Sequence, residues 1–219
     1  MTRTVDVRIP VGDEGFGLDG VLTVPDSAWG LVVLAHGSGS SGSSPRNGYV
    51  AEALQANGFA TFLFDLLLDS EKTDRTKVFD VALLSGRLMA AILDVRDREE
   101  TKVLPVGLFG AGTGAAAALA SAAFLGGDIA AVVARGGRPD LVFDLLARVR
   151  APTLLVVGEL DEAVVALSQS ATERLRCRKA VKVIPGATHL FEEPGALDAV
   201  IENATTWFLT SMGANGANP

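Results

Sequence analysis

The chain has 219 residues, 48% of them apolar, and a net charge of −7. That length fits one domain with a substantial core, and the negative balance gives no electrostatic reason to bind nucleic acid or anionic lipid. Apolar runs all fall short of the roughly 18–20 residues a membrane span needs, and a lone cysteine, Cys177, suits a reducing cytoplasm and a small-molecule partner.

Two strands come first, Val5 to Ile9 and about Leu18 to Val24, joined by the glycine-rich turn GDEGFG. The first alternates polar and apolar residues like an edge strand and lacks the apolar core of a secretory signal. Six short, nearly continuous apolar runs follow: Leu31 to Ala35, Ala60 to Phe64, Val103 to Phe109, Ile129 to Ala134, Thr153 to Val157 and Val181 to Ile184. Such runs fit strands buried on both faces of a parallel sheet. Between them lie predicted helices at about Gly48 to Asn57, Lys77 to Arg96, Thr113 to Leu125, Glu162 to Leu175 and Gly195 to Met212. Strand–helix alternation predicts right-handed crossovers and helices on both faces. The expectation is one α/β domain over residues 1–212 with an N-terminal antiparallel hairpin. The tail GANGANP, from Gly213, has no apolar anchor and is expected to be disordered.

The stretch VGLFGAGTGAAAALA, from Val106 to Ala120, admits two readings. As G-x-G-x-x-A it mimics a dinucleotide-binding loop. As G-x-S-x-G it is a strand-to-helix nucleophile elbow with Gly112 at the reactive position. Some four strands precede it, whereas a dinucleotide fold opens with its loop. The acid wanted about 20 residues further on is also missing. Arg135 ends the next strand instead, which only an NADP site could use.

The elbow reading asks for an acid and then a histidine, each after a later strand. TLLVVGELDEAV supplies Asp161, and VKVIPGATHLFEE supplies His189. Histidine would take the nucleophile's proton, while the carboxylate fixes its tautomer and stabilises the imidazolium. The other histidine, His36, precedes the elbow. Backbone donors near Ser38, in the HGSGSS loop, and at Thr113 would form an oxyanion hole.

These segments, with LAHGSGSSGSSPRN, RGGRPDL and PGATHLFEEPGAL, resemble the dienelactone-hydrolase-like branch of the α/β-hydrolase superfamily over about Val5 to Leu209. The resemblance implies a mostly parallel sheet of about eight strands without a large cap domain. It further implies an esterase-like activity on a small ester or lactone, with neither metal nor organic cofactor; the chain itself is expected to be a cytoplasmic monomer or homodimer. Serine or cysteine is the family's nucleophile, and this chain departs from the pattern at Gly112.

Glycine has no atom that can attack a carbonyl, but it relaxes the positive-φ turn. Either a serine was replaced to trap a ligand, or the chain is a non-hydrolytic relative; the otherwise complete triad favours the first. A chain without a nucleophile could also use a His–Asp dyad as general base in lyase-like chemistry, or simply bind a ligand.

Plainer roles compete for several residues. His36 is expected to hydrogen-bond backbone, and Asp161 could cap the helix starting at Glu162. Glu159 and Glu162 are rival acids. Arg46 and Arg135 could clamp a substrate carboxylate at the carboxyl end of the sheet. The alternative pairs them and Arg138 with Asp65, Asp69, Asp140 or Asp144. The charged run DSEKTDR reads as a solvated loop near the site mouth, with Leu66 to Leu68 as a candidate acyl wall.

Overall fold

A computed structural model describes residues 2–11, 17–36 and 45–213. Its strands form one sheet in the order β1-β2-β4-β3-β5-β6-β7-β8. They are β1 (Arg3–Pro10), β2 (Gly17–Val24), β3 (Gly30–Ala35), β4 (Phe59–Phe64), β5 (Val106–Ala111), β6 (Ile129–Arg135), β7 (Thr153–Gly158) and β8 (Lys179–Ile184). The β1–β2 hairpin is antiparallel, as its alternating pattern predicts, and β2 joins β4 antiparallel. Every pairing from β4 through β8 is parallel.

The helices are α1 (Pro45–Ala56), α2 (Arg75–Val78), α3 (Val81–Arg96), α4 (Thr113–Leu125), α5 (Glu162–Arg174) and α6 (Ala196–Ser211). They cover both faces. On one side Leu84, Leu88 and Ile92 of α3 pack with the alanines of α4 against Val33, Leu108 and Val132. On the other, Leu54 of α1 and Val200 and Phe208 of α6 pack against Val32, Phe109 and Val133. Double coverage explains why β3, β5 and β7 are buried at every residue and why their sequences do not alternate.

Two predicted boundaries move. The strand expected from Val103 starts at Val106 and runs on to Ala111. Val103 itself is 80% exposed, because Pro105 interrupts the run before the strand and gives its carbonyl to the Leu31 amide. The helix expected over Lys77 to Arg96 is broken into α2 and α3. Asp80 makes the break by capping α3, accepting a hydrogen bond from the Leu83 amide at 2.9 Å, the usual role of aspartate at that position.

Candidate functional site

Register sets the carboxyl ends of the central strands side by side. Ala35 pairs with Gly110, Ala111 with Arg135, and Gly158 with Ile184. The chain leaves β5 through Gly112, whose φ of 59° and ψ of −124° lie where side chains are strained. Its amide donates to the Arg135 carbonyl at 3.3 Å, and its own carbonyl accepts from Ala115 at 3.2 Å. The first turn of α4 then presses against β3, so closely that a Cβ on Gly114 would stand 2.3 Å from the Ala35 carbonyl oxygen. Only glycine allows that approach. Behind the turn, every α4 residue from Thr113 to Ala123 is buried, so the alanine run serves close packing against the sheet.

Asp161 follows β7 and sits at the N-cap of α5, yet it makes no side-chain cap bond. Its Oδ2 lies 2.6 Å from Nδ1 of His189, in the loop after β8. The two loops are laced together by backbone: Glu159 N donates to Ile184 O at 3.0 Å and Leu160 N to Ala187 O at 2.9 Å. The rival acid Glu159 is engaged with the Gly186 amide at 2.8 Å, and Glu162 is exposed in the first turn of α5. Asp161 is 17% and His189 50% exposed at the side chain, so the imidazole is reachable while its carboxylate partner is mostly covered.

The Gly136–Gly137 corner after β6 links His189 to the elbow. A Cβ on Gly136 would lie 3.6 Å from His189 Cε1, and one on Gly137 would lie 3.8 Å from the Gly112 carbonyl oxygen. An imidazole donating through Nδ1 to a carboxylate keeps Nε2 as an acceptor, the arrangement in which it can take a proton.

The remaining expected residues divide. Ser38 lies outside the described residues, so only Thr113 of the two oxyanion candidates is placed, at the head of α4. Arg46 forms an ion pair with Glu192 at 3.0 Å and donates to the Leu190 carbonyl at 3.1 Å. Arg138 takes Asp140 as expected, at 2.7 Å. The pairing considered for Arg135 does not form among the described residues. That residue is 9% exposed, its Nε has no hydrogen-bond partner, and its guanidinium carbon sits 5.7 Å from the Phe191 ring centroid. Burial, with Arg46 repelling it, lowers the Arg135 pKa to about 10, so it stays charged at neutral pH. His36 is buried beside it with Nε2 unpartnered, and burial followed by the Arg135 charge pushes its pKa down to about 3. The hydroxyl of Thr113, buried as well, also lacks a partner.

The loop after β4 corrects one expectation. The run DSEKTDR is not wholly solvated, since Glu71 is 7% exposed. Glu71 takes two hydrogen bonds from Arg87, at 2.6 and 3.1 Å, and one each from Lys77 and the Leu68 amide. Arg87 reaches it from sixteen residues away across a helix break, beyond any local sequence signal. The staple holds Leu67 and Leu68 against a cavity of about 850 Å³, which Leu63, Asp65 and Lys72 also line. Leu66 and Leu67 also belong to the core, and since Gly112, Asp161 and His189 are not among the residues that line this cavity, it does not form the expected acyl wall beside them.

No group of three metal-ligating side chains occurs among the described residues, and none of their helices is long and apolar enough to cross a membrane. A sequence model of the dienelactone hydrolase family matches residues 18–210. Among solved structures, the dienelactone hydrolase of Anabaena variabilis is 47% identical, with a TM-score of 0.90 over 96% of this chain and 99% of that one. Est1E of Butyrivibrio proteoclasticus shares the fold at 17% identity, with a TM-score of 0.80 over 95% of this chain and 99% of that one. A Mycobacterium tuberculosis protein provisionally named a phosphoribosyl transferase is 51% identical over 88% of this chain, which spans only 44% of that relative's length. With the family model covering most of its residues and the fold agreeing from hairpin to last helix, this chain belongs to the dienelactone hydrolase family.

Proposed function

We propose that the scaffold is built to hydrolyse a small carboxylic ester or lactone, with position 112 as the nucleophile's place, His189 as the base and Asp161 as its orienting carboxylate. The observation that carries this reading is the 2.6 Å contact between Asp161 and His189, beside an elbow that holds Gly112 at positive φ. In the reaction so read, His189 Nε2 takes the proton of a hydroxyl at position 112 as that oxygen attacks the carbonyl carbon. The Thr113 amide stabilises the oxyanion, the departing alkoxide collects the proton, and water then releases the acid by the same steps.

Gly112 supplies no such hydroxyl, so the chain keeps only what binding and the oxyanion site contribute. Loss of a triad nucleophile in a comparable protease costs about six orders of magnitude in kcat. The test is p-nitrophenyl ester turnover. The chain should match its His189→Ala variant, while Gly112→Ser should hydrolyse the ester. Turnover by the unaltered chain that depends on His189 and leaves no acyl-enzyme would instead support general-base chemistry without a nucleophile. Phosphoribosyl transfer has no comparable support, because the relative so named extends well beyond the portion this chain covers.

A further inference from the structure

At the amino ends of β7 and β8, three arginines line an open cleft of about 730 Å³ that has no Asp or Glu among the described residues around it. Arg148 ends the 3-10 turn Leu146–Arg148, Arg150 precedes β7 and Arg176 precedes β8. Backbone ties these segments together: Val132 N donates to Pro152 O and Thr153 N to Arg178 O, both at 2.8 Å. Val149 and Leu175 are buried at 1% exposure, while the arginines beside them stand exposed. The guanidinium carbon of Arg148 lies 5.1 Å from the ring centroid of Phe124, which also lines the cleft. None of the three arginines makes an ion pair among the described residues, and Asp128, next to the lining residue Gly127, is already taken by Arg96 at 3.3 Å. The six residues of β7, at about 3.3 Å each, separate this end of the sheet from the loop carrying Asp161 by about 20 Å.

We infer that this cleft is a second binding site, for a diphosphate-bearing small molecule, at the end of the sheet away from Asp161 and His189. The chain has 26 acidic and 19 basic residues, so three arginines without an acid among them reverse its overall sign locally. A cleft lined by one sign of charge focuses the field and gathers counter-ions. Guanidinium forks match phosphate oxygens bidentately, and the Phe124 ring steadies one of them by a cation–π contact. One phosphoryl group carries only about 1.5–2 negative charges at neutral pH, so two joined groups balance three guanidinia more closely than one does. Room is available, because a Cβ on Gly126 or Gly127, both in the lining, would meet nothing within 4 Å.

Calorimetric titration of the full chain with pyrophosphate, at fixed ionic strength, tests this, with orthophosphate, citrate and hexaglutamate as comparisons. Pyrophosphate should bind at least about tenfold more tightly than any of them. Arg150→Gln and Arg176→Gln should each weaken it by about tenfold to a hundredfold, as loss of a charged hydrogen bond does. Arg75→Gln removes the same charge from α2, outside the cleft, and should leave the affinity unchanged, as should His189→Ala. Undetectable pyrophosphate binding, or orthophosphate or citrate binding as tightly, would overturn the inference. So would an equal loss in Arg75→Gln, which would make the attraction one of total charge, or a loss in His189→Ala, which would put the ligand at the other end of the sheet. Tighter binding of hexaglutamate would assign the cleft to an acidic protein segment instead. Because the test reads binding and not ester turnover, its outcome is independent of the hydrolase reading.

Discussion

Asp161 occupies the N-cap of α5 but gives its carboxylate to His189, 2.6 Å from Nδ1, and makes no side-chain bond to the helix amides. An aspartate there would ordinarily stabilise its helix by about 1 kcal/mol as a cap. Here the side chain orients an imidazole instead. In a Gly112→Ser background, Asp161→Asn should lower ester turnover by about 10⁴-fold, the size of the corresponding loss in a serine protease. It should leave the thermal midpoint nearly unchanged, since no cap is removed. A large fall in stability with unchanged turnover would assign Asp161 to the helix.

Placing a nucleophile at position 112 should cost stability. At a φ of 59° and ψ of −124° a non-glycine residue carries about 1–3 kcal/mol of strain. Gly112→Ser and Gly112→Ala should therefore lower the unfolding free energy by similar amounts in urea titrations. Only the serine variant should gain turnover, by about three orders of magnitude or more over the unaltered chain.

Gly114→Ala should be far more damaging than its size suggests. The added methyl would stand 2.3 Å from the Ala35 carbonyl oxygen, a backbone atom of a central strand that cannot move aside. A loss of about 3 kcal/mol or more is expected from such overpacking, read as a lower urea midpoint. A near-neutral result would mean that α4 can lift from β3.

Acid should act on two separate groups. His36 takes a proton at its ordinary pKa of 6.5 when unfolded but only near 3 in the fold. Between those values the unfolded chain binds a proton that the native chain refuses. Native stability should thus fall by about 1.4 kcal/mol per pH unit as pH drops through that window. Glu71, held at about 2 rather than 4.5 chiefly by hydrogen bonds from Arg87, stabilises the fold above pH 4.5, and that contribution is lost as pH falls towards 2. Urea titrations across pH should show His36→Gln flattening the slope between pH 6.5 and 4.5. Glu71→Gln should change it only below 4.5, while costing about 3–5 kcal/mol at neutral pH by leaving Arg87 without its carboxylate.

Features set by short-range chemistry were legible in the sequence. The bounds of α4, Thr113–Leu125, follow from the glycine turn before it and the glycines after it. Strand–helix alternation gave the sheet, and the order of Gly112, Asp161 and His189 singled out two residues that do meet. What escaped depends on partners distant in sequence. Glu71 sits in a charged run that looks solvated until Arg87 folds over it. Arg135 resembles any strand-end arginine, and that its buried Nε finds no hydrogen-bond partner among the described residues becomes visible only when neighbouring strands are in place. Val103 looked like strand because apolar character alone cannot show that Pro105 starts the pairing later.

The enclosed alanine helix carries a consequence for how such a molecule can diversify. With Thr113 to Ala123 surrounded on every side, the hub beneath the elbow has no slack, and enlarging any of those side chains would push on the sheet or on α3. New ligands at the elbow must be accommodated by the segments that trail β4, β6 and β8. Change is thereby confined to a replaceable rim around an immovable centre.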